Sequence, residues 1–245
     1  MKVRAVRTRI FEEREDLIGF IRKYVPKLKN GSVLAVTSKI VALAEGRAVS
    51  ARGRKEKEAL IKRESEWALQ THPEWWWTEK DGMLLVNAGI DDSNANGKLV
   101  LLPKDSFKSA GKLRKELKRL YRIKNLGIVI TDSRISPMRA GVTGLALGYA
   151  GFRGVRDYRG KRDLFGRKLK VTMTDIADSL ATAATLVMGE GAERRPLAII
   201  EDAPVEFVDG FDKLTARRKE VQISAKEDMY WSLFKRAGIR SKRSR

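Results

Sequence analysis

The sequence predicts a mixed α/β fold, and three observations predict it. Short apolar, β-branched runs recur along the chain, each bounded by Gly, Pro or Asn. Amphipathic helical patterns fill the stretches between them. The two kinds of segment do not alternate with the regular beat of a doubly wound parallel sheet.

Taken in order, the first helix is expected at Asp16–Tyr24, where Leu17, Phe20, Ile21 and Tyr24 share one face. The longest apolar run, SVLAVTSKIVAL (32–43), reads as a strand, and Arg54–Gln70 as a charged amphipathic helix. MLLVNAG (83–89) and KLVLLP (98–103) read as strands on either side of a polar cluster. Ser109–Lys124 carries Leu113, Leu117 and Leu120 at the spacing of a buried helical stripe. LGIVITD (126–132), LKVTMTD (169–175) and PLAIIED (196–202) are further strands. A helix of small residues, Asp175–Met188, is expected to begin after Thr174 as N-cap and to stop at Gly189. From about Asp212 the chain reads as a basic helix ending in a frayed tail, GIRSKRSR, which separates a main domain, 1–211, from a C-terminal segment, 212–245.

Composition restricts the chemistry. The 245 residues hold 51 Lys+Arg against 31 Asp+Glu, a net charge of +20, and so favour anionic partners. There is no cysteine, and His72 is the one histidine, which excludes thiolate chemistry and disfavours a Ser-His-Asp triad or a His-rich zinc site. No apolar run reaches the roughly 18 residues of a membrane span. The charges of Glu12, Glu13, Arg14, Glu15 and Asp16 do not suit a leader peptide, so a soluble cytoplasmic protein is expected. Carboxylates, hydroxyls, Lys, Arg and bound metal must then carry any catalysis.

The cluster VNAGIDDSNANG (86–97) is longer than a hairpin turn requires. Its Asp91 and Asp92, together with Asp132 after LGIVIT and Glu190 in MGEG, sit at strand ends or at a glycine-lined helix end. Such carboxylates can meet above a sheet edge and hold a hard cation shared with phosphate; each alone also reads as a turn Asp or a loop Glu. Asn87 and Asn94 beside Asp91 add amides suited to phosphate or base recognition. Thr37-Ser38-Lys39 offers hydroxyls and an ammonium to phosphate oxygens, or equally an edge strand with a snorkelling lysine. RAGVTGLALGYAGFRG (139–154) is neither a Walker A loop nor a Gly-x-Gly-x-x-Gly turn, and a glycine face for close backbone packing is the alternative. His72-Pro73 and Trp75-Trp76-Trp77 form an aromatic patch of the core or interface type. The cations of KLRKELKRLYRIK (112–124) and of Arg217-Arg218-Lys219 fit no nucleic-acid-binding signature and read as solvated helix faces, with nucleic acid binding left open.

Together these motifs resemble one family, the GTP-dependent ligases that join L-glutamate to coenzyme F420-0. The matching pieces run over roughly residues 15–200 in the family's order: REDLIGFI, SVLAVTSKIVALAEGR, NAGIDDSN, LVLLP, LGIVITDS, GVTGLALGYAG, VRDYRGKRDLFGRKLKVTMTDIAD and ATLVMGEGAE. The resemblance implies a mixed α+β fold of two interlocked lobes, with 1–211 as the catalytic domain, and a homodimer. It implies two divalent cations, Mg²⁺ or Mn²⁺, with K⁺ as a further ion. Asp91 and Asp132 resemble the carboxylates on one cation, and Ser133 and Glu190 resemble ligands of the second. Thr8, Arg9, Ile10 and Phe11, with Ser38, Lys39, Asn94, Met188, Gly189 and Gly191, resemble the nucleotide contacts. The implied reaction phosphorylates an acceptor carboxylate from GTP and displaces the phosphate with the amine of L-glutamate.

Two departures stand out. After Thr131-Asp132 the family's Gly-Arg pair is replaced by Ser133-Arg134-Ile135-Ser136-Pro137-Met138-Arg139, in which Arg139 keeps one acceptor-side arginine. The family's lysine before Ala44-Glu45 is Leu43. The metal core is therefore expected to persist while the acceptor side is reshaped. Coenzyme F420-0, a folate-like compound and other γ-glutamyl acceptors all remain open.

Overall fold

The computed structural model describes residues 1–51, 53–209, 214–224 and 227–239. The chain begins with β1 (Lys2–Val6), α1 (Leu17–Tyr24), β2 (Ser32–Thr37) and α2 (Ser38–Ala44). An excursion follows through β3 (Ala48–Val49), α3 (Gly53–Glu64), β4 (Trp67–His72), β5 (Trp75–Lys80), β6 (Met83–Val86) and β7 (Leu99–Val100). The chain then returns through α4 (Ser106–Tyr121), β8 (Leu126–Ile135) and β9 (Val142–Ala150). Last come β10 (Val155–Asp157), β11 (Met173–Asp175), α5 (Ile176–Met188), β12 (Leu197–Glu201), α6 (Leu214–Val221) and α7 (Trp231–Arg236). The architecture is the mixed α/β class that the patterning predicts.

Five strands form the central sheet in the order β1-β12-β2-β8-β9. Its middle pair, β2 and β8, is parallel, with Thr37 opposite Thr131; the other pairings are antiparallel. Helices cover both faces, which explains why β2 and β8 are near-continuously apolar rather than alternating. Side chains alternate between the faces with the two-residue period of a strand. Leu34, Val36, Ile128 and Ile130 face Phe20 and Ile21 of α1 and Leu113 and Leu117 of α4. Val33, Ala35, Val129 and Ala198 face Ala177, Leu180, Ala181 and Ala184 of α5.

The glycine repeat is a packing face. A Cβ on Gly144 would stand 2.5 Å from the Ala181 carbonyl oxygen of α5, and one on Gly148 would stand 2.4 Å from the Ser106 carbonyl carbon at the start of α4. β9 is thus held between backbones on both sides. The excursion between α2 and α4 builds the three-stranded sheet β4-β5-β6, which packs on α3 through Ile61, Trp76, Ala88 and Leu101. Leu85, Leu102, Leu145 and Leu147 join it to β9.

Several expected elements shift. The run 32–43 is a strand only to Thr37. From Ser38 it coils, because Ile40 and Val41 reach the α1 side of the core by helical spacing where the sheet ladder ends. The helix expected over Arg54–Gln70 stops at Glu64, and Trp67–Gln70 instead pair with β5, where cross-strand contacts outweigh helix propensity. α4 begins at Ser106, capped by Asp105, which accepts from the Lys108 amide. Asp175, not Thr174, caps α5: its carboxylate accepts from the Asp178 amide. β1, β4 and β5 had no sequence signal of their own. The C-terminal segment holds two short helices, and Phe234 of α7 lies against Trp67 and Trp77 at 6.0 and 5.9 Å between ring centres. Residues 240–245 of the anticipated tail lie outside the described residues. Among the described residues, no helix is long and apolar enough to cross a membrane.

Candidate functional site

Because β2 and β8 are parallel, they end at the same edge of the sheet. Ligands of open α/β sheets bind beyond such carboxyl ends. Ser38 and Lys39 begin α2 at this edge, and Asp132 and Ser133 lie there in β8. The polar cluster arrives from the excursion. Asp91 is fixed through its backbone, which exchanges hydrogen bonds of 3.0 and 2.8 Å with Val100. Its carboxylate lies 2.7 Å from the Lys39 ammonium, which also donates to the Ser93 carbonyl at 2.8 Å and to the Ser93 hydroxyl at 3.2 Å. The Ser93 amide and hydroxyl donate back to Asp91 at 2.7 and 3.0 Å.

A third loop comes from the end of α5. Ser133 Oγ lies 2.7 and 2.8 Å from the two carboxylate oxygens of Glu190. The Asn94 amide donates to the Gly191 carbonyl at 3.3 Å, and the Thr8 amide donates to the Arg194 carbonyl at 2.8 Å. Gly189 holds the turn at φ 82°, where a Cβ would meet the Glu193 carboxylate at 2.5 Å. That carboxylate accepts from the Gly191 amide at 2.8 Å. The segments around Asp91, Ser133 and Glu190, with Thr8 behind the last, therefore meet above one sheet edge.

The electrostatics agree. Burial pushes the Asp132 carboxyl up to about 7, and the charges of Asp91 and Glu190 add to the rise. Lys39 and the Ser133 amide oppose it. Burial acts upward on Asp91 too, but Lys39 and the two Ser93 donors outweigh it and hold Asp91 below the usual carboxylate range. Carboxylates held near enough to repel one another, plus a hydroxyl, are an all-oxygen donor set, which suits a hard divalent cation. Among the described residues, no three Asp, Glu or His side chains form a complete cage.

A family model described as F420-0:Gamma-glutamyl ligase matches residues 5–202. The chain belongs to this family. A coenzyme F420:L-glutamate ligase of Methanococcus maripaludis strain C6 is 37% identical over 214 residues, covering 86% of this chain and 85% of the relative. The Methanopyrus kandleri protein of the same name is 38% identical over 211 residues, covering 79% and 83%. The Archaeoglobus fulgidus protein is 34% identical over 228 residues, covering 86% and 91%.

Within this glutamate ligase family member, the expected site residues fall into two groups. Asp91 and Asn94 of the polar cluster, Glu190 of the loop after α5, Asp132 and Ser133 of β8 and Lys39 of α2 stand at the sheet edge just described. Ser38 is buried at the start of α2, and Thr8 is buried beside the Glu190 loop. Ile10 is 71% exposed, whereas Phe11 is core and packs edge-on to Phe20 at 4.9 Å. Arg9 pairs with Glu15 and lies over Phe20, with its guanidinium 5.3 Å from the ring centre. Met188 is core, so Gly189 and Gly191 are the exposed part of its loop.

Asn87 is a structural residue rather than a ligand-facing amide. Its side-chain oxygen accepts from the Trp76 amide at 2.9 Å and its amide donates to Glu74, pinning the left-handed run Asn87-Ala88-Gly89. Arg134 is engaged by Asp178 at 3.2 Å, and Arg139 stands exposed in the turn after β8. Sequence reasoning missed Ser93 and Glu193. The first is legible in hindsight, since Asp-x-Ser is the spacing of a side chain accepting from an amide two residues on. Glu193 carried no such signal.

Proposed function

We propose that the protein joins L-glutamate to a carboxylate acceptor of the coenzyme F420-0 type, at the expense of GTP and with Mg²⁺ or Mn²⁺. The observation that carries this reading is the convergence of Asp91, Asp132 and Glu190 on one sheet edge with Lys39 and Ser38 beside them. Such an edge suits an anionic nucleotide and cations, and it lacks the His or Cys of nucleophilic catalysis.

An acceptor carboxylate oxygen attacks the γ-phosphorus and the bond to the β,γ-bridging oxygen breaks, releasing GDP. The amine of glutamate then attacks the acyl carbon, phosphate leaves with the electron pair, and the nitrogen loses a proton. Lys39 and Ser38 bind phosphate oxygens, while Asn94, the Thr8–Phe11 segment and the Gly189–Gly191 turn position the nucleotide. Asp91, Asp132, Ser133 and Glu190 would hold divalent cations, which would supply positive charge beside the transferring phosphoryl group. Asn94 ties two of these loops together, so phosphate and acceptor are kept in register. The assembly is a homodimer. A hairpin held by Asp163, which accepts from the Phe165 and Arg167 amides at 2.9 and 2.8 Å, presents Leu164 and Phe165 at 98% and 94% exposure for such a contact.

A second reading, a folate-like acceptor, rests on the altered segment. Arg134 is taken by Asp178, and Ser136 offers no guanidinium where the family carries one. Mass spectrometry of coenzyme F420-0 and folates incubated with the protein, GTP, Mn²⁺ and labelled glutamate separates the two. Label in neither pool overturns the ligase reading.

A further inference from the structure

The outer face of α4 carries Lys108, Lys112, Lys115 and Arg119, all exposed, at spacings of four, three and four residues, and the exposed Arg122 caps its C-terminal end. That spacing places the four helical cations on one stripe, opposite the buried face of Phe107, Ala110, Leu113 and Leu117, with Arg122 at its end. The fourteen steps from Lys108 to Arg122 at about 1.5 Å each give a stripe of about 21 Å. The one acidic residue within α4, Glu116, is paired with Arg119 at 2.9 Å. Among the described residues, Lys108, Lys112, Lys115 and Arg122 form no ion pair.

The end of α1 extends the stripe. Tyr121 donates to the Val25 carbonyl, and the charge of Arg22 acts on the Tyr121 phenol. Arg22 and Lys27 are exposed beside it. This end of the stripe lies where α1 and α4 lead into the amino ends of β2 and β8, across the sheet from Lys39 and Asp132. Nucleotide capture at the carboxyl edge therefore has no need of it. Like charges at i,i+4 also weaken a helix, so the stripe is a local cost to folding.

We propose that this face docks the phosphate backbone of a nucleic-acid duplex, without reading its sequence. Regular cations along about 21 Å match about six base steps of about 3.4 Å. No large apolar side chain is exposed on α4. An interfacial membrane helix needs such a side chain to insert, so a lipid surface is the poorer fit.

The test is fluorescence anisotropy of labelled RNA and DNA duplexes of about 20 base pairs with the full-length protein, between about 50 and about 200 mM KCl. Five neutralised phosphates give a log–log salt slope of about −4.5. The triple variant Lys108→Gln, Lys112→Gln, Lys115→Gln keeps helix propensity and should shorten that slope by about 2.7 while its melting temperature holds. A control with equal charge loss elsewhere, Lys161→Gln, Lys168→Gln, Lys170→Gln, should bind as the unaltered protein does. Tighter binding of one duplex type identifies the source. Absence of duplex binding at low salt, an equal loss in the control, or retention on phosphatidylserine vesicles without duplex binding would overturn the proposal.

Discussion

Ser133 Oγ sits within 2.8 Å of both carboxylate oxygens of Glu190, joining the end of β8 to the loop after α5 across 57 positions of sequence. The hydroxyl donates to Glu190 and still keeps lone pairs for a cation. Ser133→Ala should therefore lower turnover by roughly tenfold to a hundredfold, with a stability change of about 1 kcal/mol. Ser133→Thr keeps the oxygen and should retain most activity. Equal losses in the two variants, read by steady-state kinetics, would rule out a role for the hydroxyl.

Asp91→Ala should abolish nucleotide turnover and leave a folded protein. The backbone bridge to Val100 survives the substitution, and Lys39 is only partly buried, so its loss of a partner costs little. Circular dichroism melting and phosphate release together check this. An unfolded variant, or one with full turnover, would count against the site.

Asp175 supplies a pH dependence. Burial, and then the charge of Asp178, raise its carboxyl to about 6, against the Asp178 amide bond and Arg134. A raised folded-state value means that stability is greatest when the group is protonated and falls as pH rises through about 6. Asp175→Asn keeps an N-cap acceptor without the charge. Urea unfolding should show the variant more stable by about 1 kcal/mol at about pH 8, after allowance for solvent screening, and nearly equal at about pH 4. A constant difference across that range would refute the assignment.

Gly148→Ala tests the packing of β9. Its added methyl meets the backbone of Ser106 and Phe107 at 2.4 and 2.5 Å, which no rotamer change relieves. A loss of about 3 kcal/mol is expected in chemical denaturation. A neutral result would mean that α4 shifts away from the sheet without cost.

In the segment where the resemblance implies acceptor contacts, Arg134 is engaged by Asp178 and Ser136 carries no guanidinium. Nucleotide binding with Mn²⁺ or Mg²⁺ should persist, and coenzyme F420-0 should be glutamylated with a kcat/KM below that of the Methanopyrus kandleri relative. Isothermal titration for the first and product mass for the second measure the two halves separately. Rapid glutamylation of F420-0 would show that the altered segment leaves acceptor recognition intact.

How much of this was legible without coordinates depended on distance along the chain. Leu113, Leu117 and Leu120 marked α4, and the unbroken run Leu126–Thr131 marked a strand buried on both faces, because periodicity is a property of neighbouring residues. The motif NAGIDDSN and the Asp132 and Glu190 positions could be named for the same reason. The break between Thr37 and Ser38 could not, since β-branched residues suit strand or buried helix alike and the end of the sheet decides between them. Asn87 looked like its neighbour Asn94, yet one closes a left-handed turn and the other spans to Gly191. Composition does not tell two amides apart; the backbone each one meets does. The contacts Lys39–Ser93, 54 positions apart, and Ser133–Glu190 belong wholly to the tertiary structure. They exist because the parallel pairing of β2 with β8 brings two strand ends to one edge, a long-range closure that no local pattern encodes.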